Sequence, residues 1–476
     1  MMALDTPPRK KRNTSTAAQY SEAYRDFPQV LVADTNIQQV LFHSDSHGHA
    51  AELHKREVWY LFHPCLFEMI QLYAFSILTI STFLLKVVLR RYSLFPSTPT
   101  IVMHRDISSV FHLLSPPNSY PKSLLASRAS PNARLVRAFS LTNTFVSADI
   151  DVHSTFVGHA NALLRAATQR GWPYFQHTAI GAIEAVLCEK TQLEFDVLVQ
   201  DVTLRVILVG FLDVGKEVGE FDCTDIRVVA SHITRLWRLS KSSDNIPSHL
   251  LPQLNHHLRR LIPDEETYPN PLDYVIPVWE TLWRVVATTV AFASTEDFTD
   301  IFAELHKQPT VDRFRTCIDI RPSTEAFVTE AMRLHPPSKR IARCVSRTGP
   351  FASFFQSFAG KHISPSFSSP MSSLHKECAD IESVLRDFNI WGPDALQFDP
   401  TRFHPTRLQP RQEKVKVLPF GYGRYRCIAA SWAPMAAGVI SAAILDRIGA
   451  EKEYYLVAGK ATGGREGWEG WSILSS

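Results

Sequence analysis

Between Met69 and Leu85 the chain reads MIQLYAFSILTISTFLL, an apolar run with no charge inside it, preceded by Glu68 and followed by Lys86, Arg90 and Arg91. With the shoulders Leu66-Phe67 and Val87-Val88-Leu89 it reaches the roughly 20 residues that cross a bilayer core. The pattern predicts a single transmembrane helix over 66–89 in preference to a buried globular one. Positive charge after the run favours a cytosolic C-terminal side, against Lys55 and Arg56 before it. Beyond residue 100 the pattern changes. ARLVRAFSL, STFVGHANALLRAAT, DIRVVASHITRLWRLS, ETLWRVVATTVAFA, STEAFVTEAMRLH and CIAASWAPMAAGVISAAILDRI all space their apolar residues at the helical period. The Pro/Gly/Ser-rich stretches 115–123 and 348–373 read as loops, and no internal repeat is visible. The body is expected to be mostly α with small β-sheets.

The chain before the apolar run is polar. Pro8-Arg9-Lys10-Lys11-Arg12 sits in a Thr/Ser/Pro-rich setting, and 1–65 reads as a poorly ordered tail before it reads as an import signal. His43, Asp45, His47, His49 and His54 form a His-rich patch with nothing nearby to fix metal ligands in space. Phe95-Pro96-Ser97-Thr98-Pro99 gives 90–99 the character of a stiff hinge, which leaves 100–476 as one large domain. Across the 476 residues, 45% hydrophobic and 20% charged exclude disorder over most of the length. Fifty Lys+Arg against 47 Asp+Glu leave no broad basic surface, so nucleic acid is not expected as a partner. The seven cysteines (65, 188, 223, 317, 344, 378 and 427) are scattered and lack any CxxC, which argues against a disulfide framework and a zinc ribbon. Any cysteine that matters therefore acts alone.

Two patterns carry chemistry poorly. Gly210-Phe-Leu-Asp-Val-Gly215-Lys216 matches a phosphate-cradling loop until Glu217 stands where Ser or Thr holds magnesium, and Gly421-Tyr422-Gly423 lacks the third glycine of a dinucleotide site. The informative stretch is Leu418-Pro-Phe-Gly-Tyr-Gly-Arg-Tyr-Arg-Cys427-Ile-Ala-Ala. A Gly-rich turn lets the backbone pass close to a flat ligand, and its amides can point at sulfur. The helical pattern starting at Cys427 puts the thiol at a helix N-terminus, where a depressed pKa is expected.

This stretch resembles the haem-binding loop of the cytochrome P-450 family, the haem-thiolate monooxygenases. Three more segments support the resemblance, which runs from about residue 130 to the C-terminus: Glu330-Ala-Met-Arg333 before Leu-His-Pro-Pro, Asp399-Pro-Thr-Arg402-Phe403, and Pro277-Val-Trp-Glu280-Thr281. The wording of ETLWRVV, RLHPPSKRIAR and WGPDALQFDPTRF looks most like the fungal secondary-metabolism type. The resemblance implies the P-450 fold in a single large domain behind a membrane anchor. It implies haem b (iron protoporphyrin IX) with Cys427 as the axial iron ligand, Phe420 and Gly423 in the haem loop, and Arg343 and Arg426 as propionate partners. Glu280 and Thr281 would hold water and relay protons, and Glu330, Arg333 and Arg402 would form a buried ion-pair network.

Departures from the family pattern are Tyr425 where an arginine is usual, Ala429 for a glycine, Pro277 inside the helix over the haem, and no WxxxR segment near 130–160. The implied activity is O2-dependent hydroxylation, epoxidation or oxidative cyclisation of an apolar small molecule in fungal secondary metabolite biosynthesis. Electrons would come from NADPH through a partner reductase. A single-pass position in the endoplasmic reticulum with the catalytic domain cytosolic follows. The alternative is a catalytically impaired haem- or ligand-binding member of the same fold.

Overall fold

The computed structural model describes residues 73–84 and 101–476, apart from 189, 243–244, 297, 349–371, 450–451 and 461. The tail 1–65, its basic run and His-rich patch, the hinge 90–99 and most of the loop 348–373 lie outside the described residues. The chain forms two units, Met1–Phe95 and Pro96–Ser476.

In the first unit the apolar run is described as helix α1 (Tyr73–Leu84), exposed along its length. Its Thr79 and Thr82 hydroxyls donate back to the carbonyls of Phe75 (2.9 Å) and Leu78 (2.8 Å), so both threonines are satisfied within the helix. At 1.5 Å per residue α1 accounts for about 18 Å; the rest of the 66–89 span lies outside the described residues.

The second unit begins with β1 (Val102–His104), α2 (Ile107–Leu114), α3 (Pro121–Ala129), α4 (Ala133–Phe139), α5 (Ile150–Arg170) and α6 (Trp172–Leu187). Then come β2 (Gln192–Glu194), α7 (Phe195–Val206), α8 (Cys223–Leu239), α9 (Leu250–Leu261), α10 (Leu272–Thr295), α11 (Thr299–Lys307), α12 (Val311–Arg315) and α13 (Thr324–Leu334). It closes with β3 (Arg340–Thr348), β4 (Ser372–Asp380), α14 (Ile381–Leu385), α15 (Phe388–Trp391), α16 (Pro410–Val415), α17 (Ala433–Arg447), β5 (Tyr454–Val457) and β6 (Ser472–Ser475). The strands form two small sheets, ordered β1-β4-β3 and β2-β6-β5.

Helix α10 is apolar enough to cross a membrane, yet it is the core helix of the body. Trp279, Trp283, Val286, Ala287 and Val290 are fully buried on it, so it packs on protein on nearly all sides. Pro277 lies inside α10 without ending it. The π-helical turn Ile207–Phe211 extends α7, and a Cβ at Gly210 would press on the ring of Phe175, so this glycine serves packing in a helical segment.

Three boundaries differ from the sequence expectation. Pro121 stands at the first helical position of α3, where its fixed φ and missing N–H cost nothing, so 121–123 are helix and not loop. β3 and β4 pair antiparallel up to Thr348↔Ser372, so both ends of the supposed 348–373 loop are strand. After Cys427 the chain makes a 3-10 turn, Ile428–Ser431, and α17 starts only at Ala433, because Pro434 suits a helix start.

Candidate functional site

The Cys427 loop is closed by its own backbone. The Cys427 amide donates to the Phe420 carbonyl at 2.8 Å, and the Gly421 amide to Leu418 at 2.8 Å. Gly421 (φ +78°) and Gly423 (φ +75°) adopt left-handed conformations that disfavour L side chains, and a Cβ at Gly423 would collide with Ser115. Phe420 is half-buried against the main core; Gly423 and Arg426 are exposed. Tyr422 stacks on Phe111 at 4.0 Å and docks the loop against α2.

Cys427 remains accessible to solvent, but the protein around it is dense enough that burial pushes its thiol up. The Ala429 amide and the Arg426 charge pull the other way and are outweighed. The expected depression from a helix N-terminus is thus corrected: a 3-10 turn lies between the sulfur and α17. A cationic centre bound at the sulfur would supply the stabilisation of the thiolate that the protein does not.

Arg343, on β3, is 8% exposed, and its Nη1 donates to the Ala342 carbonyl at 2.9 Å. Beside it lies Arg128 of α3, which sequence reasoning missed. Arg128 is 7% exposed, donates to the Thr144 carbonyl at 2.6 Å, and sits 4.8 Å over the ring of Tyr425. Among the described residues neither guanidinium meets a carboxylate, and Arg128 Nε is buried without a hydrogen-bond partner. Burial lowers both to about 10, and Arg128 further depresses Arg343. Two buried cations within electrostatic reach of each other favour an anion between them. Tyr425, standing where the pattern calls for arginine, carries on its ring an arginine delivered from a distant helix. The visible signal was the departure at Tyr425; the residue that offsets it lies about 300 positions away in sequence.

Glu330, Arg333 and Arg402 are brought together in full burial, at 0%, 1% and 3% exposure. Arg333 donates twice to the Glu330 carboxylate, at 2.6 and 2.8 Å, and Arg402 once, at 3.1 Å. The Asp399 amide also reaches Glu330, at 2.9 Å. The remaining Arg333 donors go to the carbonyls of Leu385, Ala395 and Gln397, and Arg402 reaches Asp394 and Gln397.

Glu280 and Thr281 are neighbours on α10 with different settings. Thr281 is half-buried, whereas Glu280 is 2% exposed and held by Arg284 at 2.8 Å and by Arg465. Arg284 also donates to the carbonyls of Glu280 (3.0 Å) and Pro337 (2.9 Å). Glu280 is thus engaged by two guanidiniums, so the two residues that the sequence joined have different surroundings. Arg465 was not foreseen. Among the described residues no cluster of three His, Cys, Asp or Glu is arranged to hold a metal.

The body is helical with two small sheets, and it holds the accessible Cys427 in a loop with two left-handed glycines. The sequence model of the family "Cytochrome P450" matches residues 378–451, which include that loop. Benzoate 4-monooxygenase bphA of Aspergillus niger is 45% identical over 58 residues, covering 12% of this chain and 11% of that protein. Cytochrome P450 71A25 of Arabidopsis thaliana is 30% identical over 118 residues, 25% of this chain and 21% of that protein. The chain thus spans only a quarter or less of the length of the curated relatives it matches. Among solved structures, a retinoic acid-bound cyanobacterial CYP120A1 superposes with a TM-score of 0.53 at 14% identity, covering 79% of this chain and 88% of that one. The cytochrome P450DA heme domain gives 0.51 at 16%, covering 75% and 86%. The family match thus rests on the 378–451 segment, and the likeness to solved structures shows the fold alone.

Proteins of this family carry haem, and the residues present fit one: an accessible thiol in a tight glycine loop, and two buried arginines lacking any carboxylate.

Proposed function

We propose that the protein is a membrane-anchored haem-thiolate monooxygenase that hydroxylates, epoxidises or oxidatively cyclises a largely apolar small molecule. The observation that carries this reading is the pairing of accessible Cys427 with the two unneutralised arginines, Arg128 and Arg343. Bound haem supplies activation of O2 with electrons drawn from NADPH through a separate reductase. Cys427 would hold the haem iron through its sulfur, with Phe420 and Gly423 shaping the loop around it. Arg128 and Arg343 would hold the propionates by charge-assisted hydrogen bonds, with exposed Arg426 adding positive charge near the sulfur. Thr281 presents a hydroxyl from α10 for holding water and moving a proton. The Glu330–Arg333–Arg402 network keeps α13 against the Pro400–Phe403 turn.

The apolar run around α1 serves as a single-pass anchor in the endoplasmic reticulum, with the body cytosolic. A fungal secondary-metabolite pathway is the setting we favour, supported by the wording of the ETLWRVV and RLHPP segments.

Reduced, carbon monoxide-treated protein is expected to show the red-shifted thiolate Soret band, and Cys427→Ser to lose it; its absence in the wild type ends this reading. Thr281→Ala is expected to consume NADPH with less product per O2. The second reading, a catalytically impaired haem-binding member, is favoured by the capture of Glu280 between Arg284 and Arg465. It predicts the thiolate band without NADPH-dependent product.

A further inference from the structure

One cavity in the body is lined by positive charge and, among the described residues, by no acid. It measures about 140 Å3 and lies among Arg284 and Thr288 of α10, His335, Lys339, Arg386 and the Thr462–Gly464 turn, with Pro336 and Pro337 adding apolar wall. Cavities of about 150 Å3 accept a benzene ring. The lining cations are under-neutralised. Lys339 and Arg386 share one carboxylate, Glu382, each at 3.0 Å.

Behind Arg284 the imbalance continues. Glu280 is held by Arg284 and Arg465, and the charges of Arg134 and Lys241 also fall on this group. Among the described residues, six cations therefore share two carboxylates. The indole of Trp237 lies against two of them, with the guanidiniums of Arg465 and Arg134 at 4.8 and 5.0 Å. Arg465 Nε is buried and finds no hydrogen-bond partner. Burial lowers Arg465 to about 10, and lowers Lys241, which Arg465, Arg134 and Arg284 depress further.

The wall is tightly built. Gly463 has φ +103°, and a Cβ there would run into His335 Nδ1, so only glycine lets the turn close on the imidazole. Burial, then Arg386 and Lys339, hold His335 down to about 4, so at neutral pH it adds no charge and faces the cavity as a neutral ring.

We propose that this cavity binds the carboxylate of a small, otherwise apolar acid, and that this acid is the substrate; only the word substrate rests on the monooxygenase reading. The cations give the carboxylate its counter-charge, the two prolines pack the apolar part, and the absence of any acid in the lining disfavours amines.

Calorimetric titration of the full-length haem-loaded protein with benzoate and with benzamide tests it. Benzoate is expected to bind at least about tenfold tighter than its neutral analogue. Lys339→Glu, a change at a side chain 55% exposed, should weaken benzoate by about tenfold or more and leave benzamide unchanged. Arg284→Met should act in the same direction, and if it fails to fold the Lys339 variant decides. Equal affinities for the two probes, or benzoate binding indifferent to Lys339→Glu, overturn the proposal. Benzoate should also shift the Soret band; calorimetric binding without that shift refutes the substrate role and keeps the anion site. Loss of the thiolate band with benzoate binding intact refutes the haem reading alone.

Discussion

Two buried glutamates, Glu330 and Glu280, are each clasped by two arginines, and they differ in what surrounds the clasp. Around Glu330 the accounts close: amide and guanidinium donors fill the carboxylate, and the spare guanidinium donors end on main-chain carbonyls. Around Glu280 they stay open, with further cations nearby, a buried Arg465 nitrogen without a partner, and a cavity beside Arg284. The same triad of residue types is a structural tie in one place and half of a binding site in the other. Neutralisation by the main chain makes the difference, because carbonyls that absorb surplus donors remove the demand for an external anion.

The largest expected effect belongs to the closed centre. Glu330→Gln strands two buried guanidiniums and should cost about 3 to 5 kcal/mol, seen as loss of soluble protein or a collapsed denaturant midpoint. A loss below about 1 kcal/mol would erase the distinction between the two centres. Glu280→Gln should cost less, about 2 kcal/mol, and should tighten benzoate several-fold, since the competing carboxylate is gone. Weaker benzoate binding in that variant would show that Glu280 organises the cavity more than it competes with the ligand.

A smaller effect concerns pH. His335 has a folded pKa of about 4, below the ordinary 6.5, chiefly through burial. Between those values the unfolded chain takes up the proton and the folded one does not. The stabilisation is therefore complete above pH 6.5 and is lost as pH falls through about 4. His335→Gln should flatten this acid limb of the stability curve by roughly 1 to 2 kcal/mol, measured by urea melts from pH 7 to 4. The smallest change is expected at a pair that resembles neither centre. Arg238 and Glu466 lie 3.8 Å apart with side chains 64% and 70% exposed, and Arg238→Ala should move the melting midpoint by less than about 0.5 kcal/mol in stability.

What could be read in the sequence follows from distance along the chain. Glu330 and Arg333 share a helix face three residues apart, so their pairing was legible, and the Asp399–Phe403 segment brought Arg402 with it. The period of apolar residues located α5, α8, α10 and α13 for the same local reason. Arg128 and Arg465 were invisible because their partners are set by tertiary packing: Arg128 meets Tyr425 across the body, and Arg465 approaches Glu280 from a C-terminal turn with no periodic pattern. The helix expected to start at Cys427 failed on a local detail, since Pro434 marks the true first turn of α17. Glu280 beside Thr281 suggested shared chemistry, but adjacent residues on a helix point about 100° apart, and Arg284 one turn on claims the acid.

Trp237 gives the open centre an optical handle. Its indole lies within cation–π reach of both Arg134 and Arg465, and such contact with a charged guanidinium alters indole emission. An anion that draws Arg465 toward the cavity lifts one of those charges off the ring, so occupancy should register as a change in tryptophan fluorescence. Difference spectra against Trp237→Phe would isolate that signal, giving a label-free titration that follows the site without turnover or haem absorption.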